Sequence, residues 1–283
     1  ISEHFEMYFK LGDGLRHTAG SHGATDYMYL DSVDSGAKEG IWGIMRAYHE
    51  AESGLSFLPN NSGTTPRPQH PLQSGLCPTG PGSPPIRQVH IQAWRAADLL
   101  GGAGLVYNDR FTVFDPNGML YIHEEDMIPF MTGQKEVDPL VIRANAGECI
   151  EVTLTNMLPA MIQPGFGTPR LNGFESVQTT VGLSPQLVAH DVGTGSSSNV
   201  GWNPDSLAGP GETKQYAWYA GSIDAQPDGS IQYNPIEFGM TNLRSFGDVF
   251  NHHKHGLFGS LVIEPEGSQW FYDYLDGNGY VEA

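Results

Sequence analysis

Residues 140–156 read LVIRANAGECIEVTLTN, and this stretch decides the fold class of the chain. In its second half Ile150, Val152 and Leu154 alternate with polar residues. Because successive side chains of a β-strand point to opposite faces, this alternation predicts a strand with one buried face. Gly147 lies in the middle of the stretch and predicts a turn between two strands.

Further strand patterns lie on both sides of this stretch. Residues 87–94 alternate with a period of two, and residues 186–191, 214–220 and 257–264 are short apolar runs bounded by turn residues. Residues 40–48, GIWGIMRAY, predict a buried strand. Many short strands with turns between them are typical of an antiparallel β-sandwich.

Helix signals are sparse, and proline and glycine mark the boundaries. The one helix pattern covers residues 123–131, and Pro129 limits its length. Residues 51–85 are rich in Pro, Gly and Ser, which predicts an irregular linker between a first segment, 1–50, and a strand-rich domain, 86–270. Residues 271–283 form an acidic tail.

Composition excludes several classes of protein. The 283 residues carry 14 basic and 32 acidic side chains, so the net charge of −18 argues against binding to nucleic acid, which requires a basic surface. No apolar run is long enough for a membrane span. The chain begins ISEH, without an initiator Met, which predicts a mature end or the cut end of a longer chain.

Cys77 and Cys149 are the only cysteines, and they do not form a C-x-x-C pair. Zinc binding and thioredoxin-like chemistry are therefore not indicated. The spacing leaves two alternatives open, a single disulfide or two unrelated buried thiols.

Three stretches resemble the cupredoxin domains of multicopper oxidases. Residues 140–156 resemble the opening hairpin of a cupredoxin domain, residues 209–221 are similar to a conserved turn and strand of multicopper oxidases, and residues 254–265 resemble their closing strand. The relatives that we can name are the large bacterial multicopper oxidases of the manganese-oxidising type. The resemblance implies a cupredoxin-like Greek-key β-sandwich, with the end of a preceding cupredoxin domain in residues 1–50.

The resemblance also locates where copper ligands would lie. A blue copper site needs a thiolate, and the corresponding stretch 251–256, NHHKHG, has no cysteine. Ser184 and Gln186 stand where one histidine pair of a trinuclear cluster would lie, and residues 237–242 hold no second pair. We therefore expect a module that lacks the catalytic copper ligands.

His252, His253 and His255 remain as candidate metal ligands. Alternate residues of a strand share a face, so His253 and His255 would lie close enough to bind Cu(II) or Zn(II). The alternative is a solvated, hydrogen-bonding loop beside Lys254.

The resemblance implies a secreted, periplasmic or extracellular oxidase that uses copper to oxidise a metal ion such as Mn(II), or a phenol, and reduces O₂ to water. This chain would be a non-catalytic fragment or subunit that packs against the other cupredoxin domains. A secreted module of this kind is expected to join Cys77 and Cys149 in a disulfide. The alternative function is a free-standing structural or metal-binding β-sandwich protein without redox chemistry.

Overall fold

The structure is a computed structural model of the 283-residue chain. It describes residues 24–31, 36, 39–48, 53–55, 76–102, 104–162, 177–191, 194–198, 205–225, 231–272 and 280–281.

The described residues form sixteen strands and two short α-helices. The strands are β1 (Ala24–Leu30), β2 (Trp42–Tyr48), β3 (Ile86–Arg95), β4 (Leu105–Asn108), β5 (Val113–Asp115), β6 (Met119–His123), β7 (Leu140–Asn145), β8 (Cys149–Asn156), β9 (Ala189–His190), β10 (Thr213–Tyr219), β11 (Gly221–Ala225), β12 (Ile231–Pro235), β13 (Gly239–Arg244), β14 (Phe258–Glu264), β15 (Phe271–Tyr272) and β16 (Tyr280–Val281). The helices are α1 (Ala96–Leu100) and α2 (Met127–Met131), and 3₁₀ turns cover Glu124–Asp126 and His253–His255.

Two mixed sheets make up the body of the molecule. The larger sheet has the order β6-β3-β8-β10-β9, with β3 and β8 parallel and the other neighbours antiparallel. The smaller sheet has the order β13-β14-β7, with β13 and β14 antiparallel and β14 and β7 parallel. The all-β, cupredoxin-like Greek-key sandwich predicted from the sequence is confirmed, but its sheets are mixed and not purely antiparallel.

The decisive stretch 140–156 is not a hairpin. Its two strands belong to different sheets, because β7 pairs with β14 whereas β8 pairs with β3 and β10. Gly147 has a φ of 88° and turns the chain from one sheet to the other. Both strands thus bury their apolar residues in the shared core without bonding to each other.

The core lies between the two sheets. The largest fully buried side chains there include Trp218, Tyr121, Ile142, Ile150, Leu154, Leu183, Leu243 and Leu257. In β8 the predicted alternation is confirmed, since Ile150, Val152 and Leu154 are buried and the residues between them are partly exposed. A second, smaller cluster includes Leu99 of α1 and Phe130 of α2, which cover Leu120 and Ile122 of β6.

One predicted strand is much shorter than expected. Of residues 186–191 only Ala189 and His190 pair, with β10. Leu187 has a φ of 69°, which is outside the range of β-strands. The chain therefore turns at Leu187, and Gln186 and Leu187 are exposed.

The first segment forms the antiparallel hairpin β1–β2, which is a sheet of its own among the described residues. The prediction of a strand in residues 40–48 is correct, but the prediction that it is buried is wrong. Ile41, Trp42 and Ile44 are 55%, 49% and 41% exposed. A hairpin of two strands offers no second layer to cover them.

The predicted linker 51–85 and the predicted acidic tail 271–283 lie mostly outside the described residues. In the described part of the chain, no helix has the length and apolar character that crossing a membrane requires.

Candidate functional site

The two segments that the family resemblance matches to histidine pairs lie side by side. Ser184 N donates to Arg244 O at 2.8 Å and Arg244 N donates to Ser184 O at 3.1 Å. Arg244 is the last residue of β13, the strand that begins within residues 237–242. The fold therefore brings both positions to one place, at the end of the sandwich beside the hairpin β1–β2.

A groove opens at this place between the hairpin and the sandwich. We call it the junction groove; its cavity of about 210 Å³ is lined by Leu30, Ser184, Pro185, Gln186, Arg244 and Phe246. Two further cavities of about 230 and 170 Å³ adjoin it and share Leu30 and Phe246. Residues of the hairpin, the 184–186 segment and β13 meet at this groove.

Serine hydroxyls occupy the inner wall of the groove. Ser184 Oγ lies 2.7 Å from Ser197 Oγ and 3.0 Å from Ser196 Oγ, and it accepts a hydrogen bond from Ser197 N at 2.9 Å. Ser197 Oγ accepts from Phe246 N at 3.2 Å. This network ties the 194–198 loop to the sandwich and uses the Ser184 oxygen internally.

The donors at this place do not fit a copper site. Copper in proteins is bound by imidazole, thiolate and thioether groups, whereas Ser184 offers a hydroxyl that is already bonded and Gln186 offers a neutral amide.

The structure joins Cys77 and Cys149 in a disulfide, with the Cα atoms 5.6 Å apart. Cys149 is buried at the start of β8, and its backbone N donates to Pro85 O at 2.7 Å. The bond therefore fixes the end of the predicted linker to the larger sheet. Because the chain has only two cysteines, no thiolate remains for a blue copper site.

His252 is a buried structural residue. Its Nδ1 lies 2.8 Å from Ser245 Oγ and its Nε2 lies 2.8 Å from Gln178 O. The carbonyl can only accept, so Nε2 carries the proton and Nδ1 accepts from the serine hydroxyl. Burial lowers the pKa of His252, against the opposing effects of the Gln178 carbonyl and the Asp248 carboxylate.

Asp248 organises the turn that precedes His252. Burial acts to raise its pKa, but hydrogen bonds from Asn251 and from Gln178 N, together with the nearby His252, hold the pKa of Asp248 below its ordinary value. The carboxylate is therefore charged and held inside the loop.

His253 and His255 lie in a 3₁₀ turn and not in a strand. Alternate residues of such a turn do not share a face. His255 Nδ1 lies 2.6 Å from Asp115 Oδ2, while His253 borders the cavity of about 230 Å³. Among the described residues, no three His, Cys, Asp or Glu side chains form a group that could hold a metal ion. The three candidate ligands are thus not gathered into one site.

Arg244 is the residue that the sequence did not reveal. It is one of few basic residues in an acidic chain, and it lies in a strand without a motif around it. Only the pairing of β13 with the 184–186 segment places it in the groove.

Comparisons with known proteins give matches among solved structures alone. No protein-family model and no curated protein matches the chain. A multicopper oxidase from Pseudomonas thermotolerans is 12% identical with a TM-score of 0.35, over 66% of this chain and 31% of that one. The copper nitrite reductase of Nitrosomonas europaea is 14% identical with a TM-score of 0.33, over 64% of this chain and 42% of that one. A further multicopper oxidase is 16% identical with a TM-score of 0.36, over 70% of this chain and 48% of that one. The chain spans less than half the length of each of these proteins, and the fold class rests on the strand order given above.

Proposed function

We propose that this chain is a non-catalytic cupredoxin-like module of a larger, secreted multicopper oxidase. The parent protein would oxidise a metal ion such as Mn(II), or a phenol, and pass four electrons to O₂ to form water. This module would hold the neighbouring copper-bearing domains in position. The observation that carries the proposal is the disulfide between Cys77 and Cys149, which uses both thiols of the chain.

The junction groove supports the same proposal. Its position corresponds to the place where the family resemblance puts histidine pairs, but its wall carries the hydroxyl network of Ser184, Ser196 and Ser197. A domain that keeps this part of the fold but has no histidine pair there suits a structural role.

The exposed hairpin suggests where a neighbouring domain packs. Tyr29, Ile41 and Trp42 are each about half exposed or more. Apolar surface of this kind on a two-stranded hairpin is typical of a face that another part of the protein covers. A disulfide suits the oxidising conditions outside the cytosol.

The test is a titration of the chain with Cu(II). The visible spectrum is recorded at each step, and O₂ consumption is measured with Mn(II) or a phenol as substrate. We expect no intense thiolate-to-copper absorption and no turnover above that of free copper. Saturable turnover, or an intense blue colour, would overturn the proposal.

A matched pair of variants assigns any copper that does bind. His253→Ala/His255→Ala removes the two partly buried histidines of the candidate loop, and His90→Ala removes an exposed histidine of β3 as the control. A pale, saturable signal lost only in the first variant, without turnover, would favour the alternative of a metal-binding sandwich.

A further inference from the structure

Arg244 differs from the other arginines that the structure describes. Arg46, Arg87, Arg95 and Arg143 each face a carboxylate, and Arg110 is exposed on the β4–β5 hairpin. The Arg244 guanidinium forms no hydrogen bond or ion pair with any described residue, although the residue is half-buried.

Arg244 is one of the residues that line the junction groove. An arginine side chain has five N–H donors in a planar fork that matches the two oxygens of a carboxylate. Gln186 is exposed at the same groove and adds an amide that can donate. The groove therefore presents an unused cation and a neutral donor next to each other.

Three of the six residues that line the groove are apolar. Leu30, Pro185 and Phe246 line it, and the adjoining cavity of about 230 Å³ adds Leu243, Val249 and Phe258. Concave sites with apolar walls and a few placed polar groups are typical of small-molecule binding. A ligand that fits has one carboxylate and a compact apolar body.

The charge around the groove favours a single negative charge on the ligand. Asp31 borders the adjoining cavity, and the chain as a whole carries a net charge of −18. A second carboxylate on the ligand would add to the repulsion between the ligand and this acidic chain.

We propose that the junction groove binds a small organic monocarboxylate, with Arg244 holding the carboxylate and the apolar wall holding the body. This inference concerns a binding site of the chain itself and is independent of the proposed function.

Isothermal titration calorimetry with benzoate tests the site, with benzamide as its neutral isostere. We expect saturable benzoate binding and at least about tenfold weaker binding of benzamide, because the charged hydrogen bonds are lost. Equal binding of the two compounds, or no benzoate binding, would overturn the proposal.

Variants locate the binding. Arg244→Gln should weaken benzoate binding by at least about tenfold, and Arg244→Lys should give an intermediate loss because lysine keeps the charge but not the fork. Arg110→Gln is the matched control and should bind benzoate as the wild type does. Near-UV circular dichroism checks that each variant is folded. If Arg244→Gln is not folded, the binding measured with Arg244→Lys tests the assignment. Unchanged binding in Arg244→Gln or in Arg244→Lys would overturn the assignment.

Phthalate tests the preference for one charge. We expect it to bind more weakly than benzoate by about tenfold, because its second carboxylate adds repulsion from the acidic chain. Phthalate that binds as tightly as benzoate would contradict the proposed preference for a monoanion.

Discussion

Strands β8 and β2 have nearly the same length and both carry large apolar side chains, but they bury very different amounts of surface. In β8, Ile150 is fully buried between two sheets and its neighbours pair with β3 on one side and β10 on the other. In β2, Ile44 is 41% exposed and the strand pairs only with β1 among the described residues.

The difference teaches that a short run with large apolar residues specifies a strand, but not what covers its side chains. Burial of β8 comes from residues far away in sequence, such as Leu243, Leu257 and Trp218, which belong to the same core. No described residue provides a comparable second layer for β2. The apolar side chains of the hairpin are therefore open to solvent in the described part of the chain.

The same substitution in both strands measures this difference most directly. Ile150→Ala should lower the free energy of unfolding by roughly 2–5 kcal/mol, because it leaves a cavity in a closed core. Ile44→Ala should cost at most about 1 kcal/mol, since only strand preference and partial contacts are lost. Guanidinium denaturation of the two variants and the wild type decides the matter. Equal losses would show that the hairpin is covered as well as the sandwich is.

Much of the sandwich could be predicted from sequence because its signals are local. The alternation in β8 and the short helix after β6 follow from residues within one stretch. The partner strands of β7 and β8 could not be predicted. An apolar strand, a glycine turn and a second apolar strand fit both a hairpin and a corner between two sheets. Only β14, more than one hundred residues later, decides that β7 joins the other sheet.

The candidate site was harder to predict, because its contacts are long-range. His252 lies in a polar, histidine-rich loop, yet it is buried by Ser245 and by Gln178, which is 74 residues away. His255 pairs with Asp115, which is 140 residues away. The absence of cysteine near this loop was visible in the sequence, whereas the place of Arg244 in a groove depends on a single bridge to Ser184.

The disulfide is a second difference between β8 and β2. It links Cys149 of β8 covalently to Cys77, whereas β2 has no cysteine. Cys77→Ala/Cys149→Ala should lower the free energy of unfolding by about 2–4 kcal/mol, as the closed loop constrains the unfolded chain. The two cysteines are 72 residues apart. Denaturation with and without a reductant provides the control: reductant should destabilise the wild type and leave the variant unchanged. A variant as stable as the wild type would contradict this role.

Burial also distinguishes ionisable groups on the sandwich. His252 is buried and its pKa is lowered, whereas His90 is exposed on β3. Below about pH 6.5 the unfolded histidine binds a proton that the folded ring does not yet bind. The free energy of unfolding therefore decreases as the pH falls from about 6.5 to the pKa of His252 in the folded protein. The decrease is at most about 1.4 kcal/mol per pH unit.

His252→Gln should remove this part of the pH dependence, and His90→Gln should retain it. Unfolding free energies measured across that pH range test the difference between the two variants. If both variants kept the wild-type slope, His252 would not be the group that titrates.

The smallest energetic effect is expected at Trp42, where the exposure of the hairpin can be read by fluorescence. Trp42 is 49% exposed in β2, whereas Trp218 is fully buried in β10 and donates from Nε1 to Gly195 O at 2.6 Å. Trp42→Phe should change the free energy of unfolding by no more than about 0.5 kcal/mol, as is usual for surface substitutions. The same variant should remove emission that acrylamide quenches readily, because the quencher reaches a ring that is in contact with water. Trp218→Phe is the matched control and should remove emission that acrylamide quenches poorly. If Trp42→Phe left the quenchable fraction unchanged, the indole would be shielded in solution, and the apolar face of β2 would already be covered within this chain.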